Sequence, residues 1–421
     1  MELMSLADGV LPLIRAQSRD LWRYEVANDQ GDSMLDGVAL LEQALDNPEE
    51  MPDLGIAVPT PQETYTVITK AIRSALKVIA RADDSSGIIG TACAELLELH
   101  PRAAERADVP QPKLADWVFN LPFTDELQVF ETDPVAYAPA LGSTGMERFK
   151  QHVEVLRAEV AKEEPGPYGL RSHKAHVLEW FDKRLAVFDK DPEAIIRTHL
   201  RDGNVAGWYV DVSEAFEEIG DIPRTVEWAK QAVLFDYGHQ SRDAATRWRR
   251  LLIEHFTEEH DDAIRTIFER WPSAASGAGL HRVDGDEVLG RIEETLEEKN
   301  SSELVRFQWK TLKNVQLAWE TATRLLPEDD CIWAELAEAY TPIDPVAALR
   351  VRSRVVSDAL IEADRRKYRP AAREFVKLRK EARATGNAEA IALVDSVIGR
   401  MRELYPRRPR LMAEFDQAGL P

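Results

Sequence analysis

Apolar residues recur at helical spacing along nearly the whole chain. Trp208, Val212, Ala215, Phe216 and Ile219 stand at i, i+4, i+7, i+8 and i+11, one face of an α-helix. Val226, Ala229, Ala232 and Val233 continue the pattern in the next segment. Gly220 falls just past the first face, where a left-handed residue closing a helix is best tolerated as glycine. Asp221 then caps the second helix, with Pro223 in its first turn, where a missing N–H matters little. The same punctuation recurs elsewhere. Thr60-Pro61-Gln62-Glu63 is a capping box, and Asp133-Pro134, Asp191-Pro192 and Asp344-Pro345 each read as an acidic N-cap before proline. Between these signals the spacing predicts helices that include 5–28, 33–46, 61–82, 86–106, 143–163, 173–190, 206–219, 223–236, 345–364 and 368–384. No helix is expected between 270 and 286, and 120–143 reads as irregular. Alternating strand patterns, a βαβ rhythm and a glycine-rich phosphate loop are absent, so the predicted class is all-α.

Segment 207–237 resembles a tetratricopeptide unit, two antiparallel helices with small residues where they cross and a glycine at the turn. Ala215 and Ala232 take the small positions and Gly220 the turn. A second copy is expected at 330–356, with Trp333, Leu336, Ala339, Tyr340, Asp344 and Ala348. A weaker third spans 374–405, with Gly386 at its turn. The expected architecture is an α-solenoid of degenerate tetratricopeptide-like hairpins. The stretch EEPGPYGLRS, 163–172, is the expected boundary between an N-terminal helical domain, 1–164, and a C-terminal array, 172–421, that ends in a basic segment.

GIIGTACAELLELHPRAAERA at 87–107, the region around 190–233 and the ending YPRRPRLMAEFDQAGLP also resemble the helical region of bacterial SWIM zinc-finger proteins, in an actinobacterial-type version. That resemblance implies a helical array of unassigned partner. The finger itself needs a CxC pair followed by CxH. Cys93 and Cys331 are the only cysteines and lie far apart, so zinc binding does not carry over.

With 421 residues and 44% hydrophobic residues the chain is expected to fold, and no run is apolar enough for a bilayer. Two cysteines exclude a disulfide framework, and a cytoplasmic location is expected. The net charge of −21 argues against a general nucleic-acid binder. It is unevenly spread: Val346 to Leu411 carries 17 basic and 8 acidic residues, a net of +9, which leaves −30 for the rest. No paired-carboxylate motif, serine elbow or activated cysteine stands out, so no catalytic residue, cofactor or metal is assigned. His173 and His176 are spaced for a shared metal but read as structural. Asp83 and Asp84 read as a cap. Trp208, Trp228, Trp248 and Trp271 crowd one region. They mostly suit packing, and Trp208, Trp228 and Trp248 are the candidate partner anchors. Arg365, Arg366 and Lys367 are the candidate basic contacts. The expectation is a scaffold that binds a protein or peptide. A nucleic-acid accessory role is the alternative, and an enzyme without a recognisable motif is a third reading.

Overall fold

The predicted apolar faces close on one another as packed helices, and the all-α expectation holds. The computed structural model describes residues 3–16, 18–124, 130–164 and 171–421. Part of the expected boundary at 163–172 and part of the irregular stretch 120–143 fall outside the described residues. Among the described residues the one extended pairing is a bridge between Met4 and Ile56. The contacts divide the chain into two compact units, Met1–Trp228 and Ala229–Pro421.

In the first unit α1 (Leu6–Ile14), α2 (Tyr24–Asp46), α3 (Pro61–Ile79) and α4 (Ile88–Arg106) enclose a core that includes Met34, Leu41, Ile68, Ile89 and Leu96. A second core gathers α5 (Gln111–Thr124), α6 (Ala138–Val160) and α7 (His173–Phe188) around Tyr137, Phe149 and Phe181. A third joins α8 (Pro192–Leu200), α9 (Ala206–Glu218) and the start of α10 (Ile222–Phe235) through Ile195, Val212 and Phe216. The second unit runs from α11 (His239–His255) through α12 (His260–Arg270), α13 (Ala274–Asp284), α14 (Leu289–Lys299) and α15 (Ser301–Arg306). A π-helical turn at 307–311 leads to α16 (Val315–Leu325), α17 (Asp330–Tyr340), α18 (Pro345–Asp358), α19 (Arg365–Ala384), α20 (Ala388–Leu404) and α21 (Pro409–Gln417). Within each unit, helices pack chiefly on their neighbours in chain order, the organisation of hairpin repeats.

The caps behave as their chemistry requires. Thr60 and Glu63 form the reciprocal capping box. The Asp191 carboxylate accepts from the amides of Glu193 and Ala194, and Asp344 from that of Ala347 at 3.0 Å. Asp133 instead accepts from Val135 in a turn, and α6 begins only at Ala138. Gly220 has φ +79°, and Gly386 closes α19 in the same left-handed region. The Ser213 hydroxyl donates to the Thr225 carbonyl at 2.8 Å and ties α9 to the first turn of α10. Ala215, Ala232, Ala348 and Ala390 are buried, whereas at the second expected copy Ala337 takes the buried position in place of Ala339.

Three expectations need correction. The helix expected at 5–28 breaks at Arg15, because Leu21 buries itself and accepts from the Asp83 amide at 2.8 Å. The polar run 29–32, expected as a break, lies inside α2. Gln30 and Ser33 both donate to the Leu13 carbonyl, at 3.0 and 3.1 Å, and so satisfy the end of α1. A helix also forms where none was expected, at α13. Ser273 and Ser276 cap it reciprocally, and Gly277 lets α14 approach, since a Cβ there would sit 3.0 Å from Ile292.

His100 is the polar centre of the first unit. Its ring is fully buried and stacks on Trp117 with centroids 4.0 Å apart. The Thr69 hydroxyl donates to the Tyr65 carbonyl, so it accepts from His100 Nε2 at 3.0 Å. His100 Nδ1 then accepts from the Tyr137 hydroxyl at 2.9 Å. Burial pushes the imidazole down to about 3, so the folded ring stays neutral.

Two predictions follow from these arrangements. Gly220→Val forces a β-branched residue to positive φ and should destabilise by about 1–3 kcal/mol in thermal melts; an unchanged midpoint contradicts the left-handed turn. For His100, the unfolded ring protonates near its ordinary value of about 6.5 while the folded ring does not. The stability it contributes is therefore complete above that pH and is lost as pH falls towards about 3. His100→Gln should flatten the loss of melting midpoint between pH 6.5 and 4; an unchanged acid slope contradicts the buried neutral ring.

Candidate partner-binding groove

A hollow of about 1240 Å³ in the first unit is walled by α7, the ends of α6 and α8 and the start of α9. The helical period of α7 puts His176, Glu179, Trp180 and Lys183 along this wall, while Val177, Leu178 and Phe181 reach the core. Glu179 is the hub. It accepts from Arg171 at 2.9 Å and pairs with Arg201 at 2.8 Å. The Arg201 guanidinium also lies over the Trp208 ring, 5.4 Å from its centroid.

Arg201 occupies φ 55°, ψ −120°, a region that side chains rarely adopt. The chain therefore holds a strained residue at the point where the carboxylate and the indole meet its guanidinium. Glu131 also lines the groove. Burial raises its carboxyl above the usual carboxylate range, Lys183, His173 and His176 pull the other way, and Glu179 adds to the rise. Lys183 is 13% exposed in its side chain and approaches Asp211 at 3.6 Å. Trp180 donates to the Thr132 carbonyl at 2.8 Å, which fixes its ring in the wall.

The tryptophans separate. Trp208 is half-buried and lines the groove. Trp228 is half-buried against the third core and packs with Tyr209, centroids 5.8 Å apart. Trp248, in the second unit, is only 3% exposed, and among the described residues its indole N–H has no acceptor. Its helix face, with Ala244, Leu251 and Leu252, is all core, so burial removes it from any surface. Trp271 donates to the Tyr237 carbonyl at 3.2 Å. Arg366 pairs with Asp364 and Lys367 with Glu362, both at 3.0 Å, while Arg365 is exposed.

His173 and His176 donate to different backbone carbonyls, those of Pro122 and Ser172, each at 2.9 Å. Among the described residues no group of three His, Cys, Asp or Glu could hold a metal ion. Asp84 accepts from the amides of Ile89 and Gly90 at 2.9 Å each, so this helix end carries its cap. Cys93 is buried in the first core and Cys331 is exposed. No helix among the described residues is long and apolar enough to cross a membrane.

Residues 41–196 match the model of a family described as a family of unknown function, DUF6880. The matched span includes the whole of α7 and stops one residue before Arg197 of the groove. Curated proteins give no match. Among solved structures the chain is similar to one described as "Human IFIT1 dimer with PPP-AAAA" at 14% identity, over 98% of this chain and 99% of that one, with a TM-score of 0.26. It is also similar to a "Circular tandem repeat protein with novel repeat topology and enhanced subunit contact surfaces" at 16% identity, over 98% and 89%, with a TM-score of 0.19. Superpositions this loose carry no argument about function.

The strain at Arg201 gives a direct check. Arg201→Gly and Arg201→Ala both lose the ion pair and the stacking, but only glycine relaxes the backbone. The glycine variant should melt higher than the alanine variant, by about 1 kcal/mol or more in stability. Equal midpoints contradict a strained Arg201.

Proposed function

We propose that the chain is a non-enzymatic helical-repeat scaffold that holds a protein or peptide segment in the groove of the first unit. The observation that supports this reading most is the half-buried Trp208, held under Arg201 beside the Glu179 hub. A wall of fixed aromatic rings with charged groups around it suits capture of a segment that offers both apolar and polar side chains. Helical-repeat arrays use such concave surfaces for partners. In the groove the Ser172 hydroxyl donates to Glu163 and accepts from the Ala175 amide, the arrangement of a helix cap. A cytoplasmic setting fits this reading. The likeness of 87–107, 189–233 and the ending YPRRPRLMAEFDQAGLP to the SWIM helical region is retained as a proposed relationship of fold alone.

Affinity capture with the parent chain and with Trp208→Ala tests the reading. A partner enriched by the parent should bind the variant at least about tenfold more weakly by calorimetry, at an unchanged melting midpoint. Equal affinity for both, or binding of a DNA duplex at low salt in place of any protein, contradicts it.

A further inference from the structure

The charge of α19 sorts by face. Tyr368, Ala371, Phe375, Leu378 and Ala382 are buried inside. Glu374 and Glu381 turn toward the buried Arg352 of α18, the former at 2.8 Å. Lys377 pairs with Glu338 at 3.1 Å and Arg379 with Asp395 at 2.6 Å. What remains is Arg365, Arg369, Arg373, Lys380 and Arg383, all exposed and, among the described residues, in no ion pair. Steps of four, four, seven and three residues put them on one face of the helix. At 1.5 Å per residue the ladder runs about 27 Å. Val376, 41% exposed, stands in the middle of it.

We propose that this ladder docks an acidic amphipathic helix of a partner protein. Carboxylates at every fourth position of such a helix repeat every ~6 Å, the pitch of Arg365, Arg369 and Arg373. Arginine forks suit carboxylates bidentately. The exposed Val376 gives the partner an apolar contact, which a phosphate backbone cannot use. The large aromatics of α19, Tyr368 and Phe375, are buried, so no ring stands among these cations for a base to stack on. The net charge of −21 also repels a duplex, which carries a charge every ~1.7 Å, more than a sparsely charged helix. One valine among five cations is too little apolar surface to enter a bilayer.

The test uses the full chain and three probes: a synthetic helical peptide with glutamate at every fourth position around a central leucine, a DNA duplex of 20 base pairs, and anionic vesicles. Fluorescence anisotropy should show the peptide binding more tightly than the duplex or the vesicles, with affinity falling as salt rises. Combined Arg369→Glu, Arg373→Glu and Lys380→Glu should weaken the peptide at least about tenfold. Trp208→Ala, in the other unit, should leave it unchanged. The proposal is overturned if the peptide does not bind, if the duplex or vesicles bind more tightly, or if the triple reversal has no effect. A dimer of the parent chain that the reversal dissolves also overturns it, since the occupant is then a second copy.

Discussion

The first unit turns on one guanidinium. Arg184, in α7, is 11% exposed in its side chain. It holds Asp133 with two bonds of 2.8 Å and Glu218 with bonds of 2.7 and 2.6 Å. These partners lie before α6 and at the end of α9, so a single side chain fixes α7 between segments far apart in sequence. Two carboxylates around one fork satisfy the cation's donors and offset much of its desolvation, which an unpaired partner would not. The opposite consequence is fragility: loss of either acid leaves a nearly buried charge short of a partner. The groove depends on this pin, because Glu179, Trp180 and Lys183 sit on the same helix within five residues of Arg184.

Around that pin, the chain spends most of its sequence on close helix approach. Alanines such as Ala71, Ala75, Ala92, Ala229, Ala318 and Ala348 are fully buried, where larger side chains would hold helix axes apart. Buried polar groups are mostly placed where they satisfy a neighbour: Gln30 at the end of α1, Ser213 at the α9 turn, and His100 between Thr69 and Tyr137. Charge follows the same logic in the second unit. The cations of the basic segment that face neighbouring helices are paired, and those on the outer face of α19 are not.

Much of this was legible in the sequence where the signal is local. Caps, the proline at the first helical position and Gly220 are properties of a few consecutive residues, and they read correctly at Thr60, Asp191 and Asp344. Tertiary contacts defeated the reading where they outweigh local preference. The run 29–32 looks like a loop but is a helical segment that caps α1, and the glycine-rich stretch after Ser273 is helical because Gly277 admits Ile292. The groove was partly visible. Trp208 stood out as an aromatic, but nothing linked it to Glu131, Glu179 or Arg201, which converge from segments far apart in sequence and carry no motif. Trp248 shows the limit of composition: an aromatic stripe at helical spacing is consistent with core and with anchor, and only its burial separates the two.

The central claim is that α7, pinned by Arg184, presents a preformed groove to a protein segment. Amide hydrogen exchange of the full chain, with and without its captured partner, tests this most directly. Exchange should slow on binding within 173–208 and stay unchanged across α1 to α4. Protection confined to other helices, or none at all, contradicts the account.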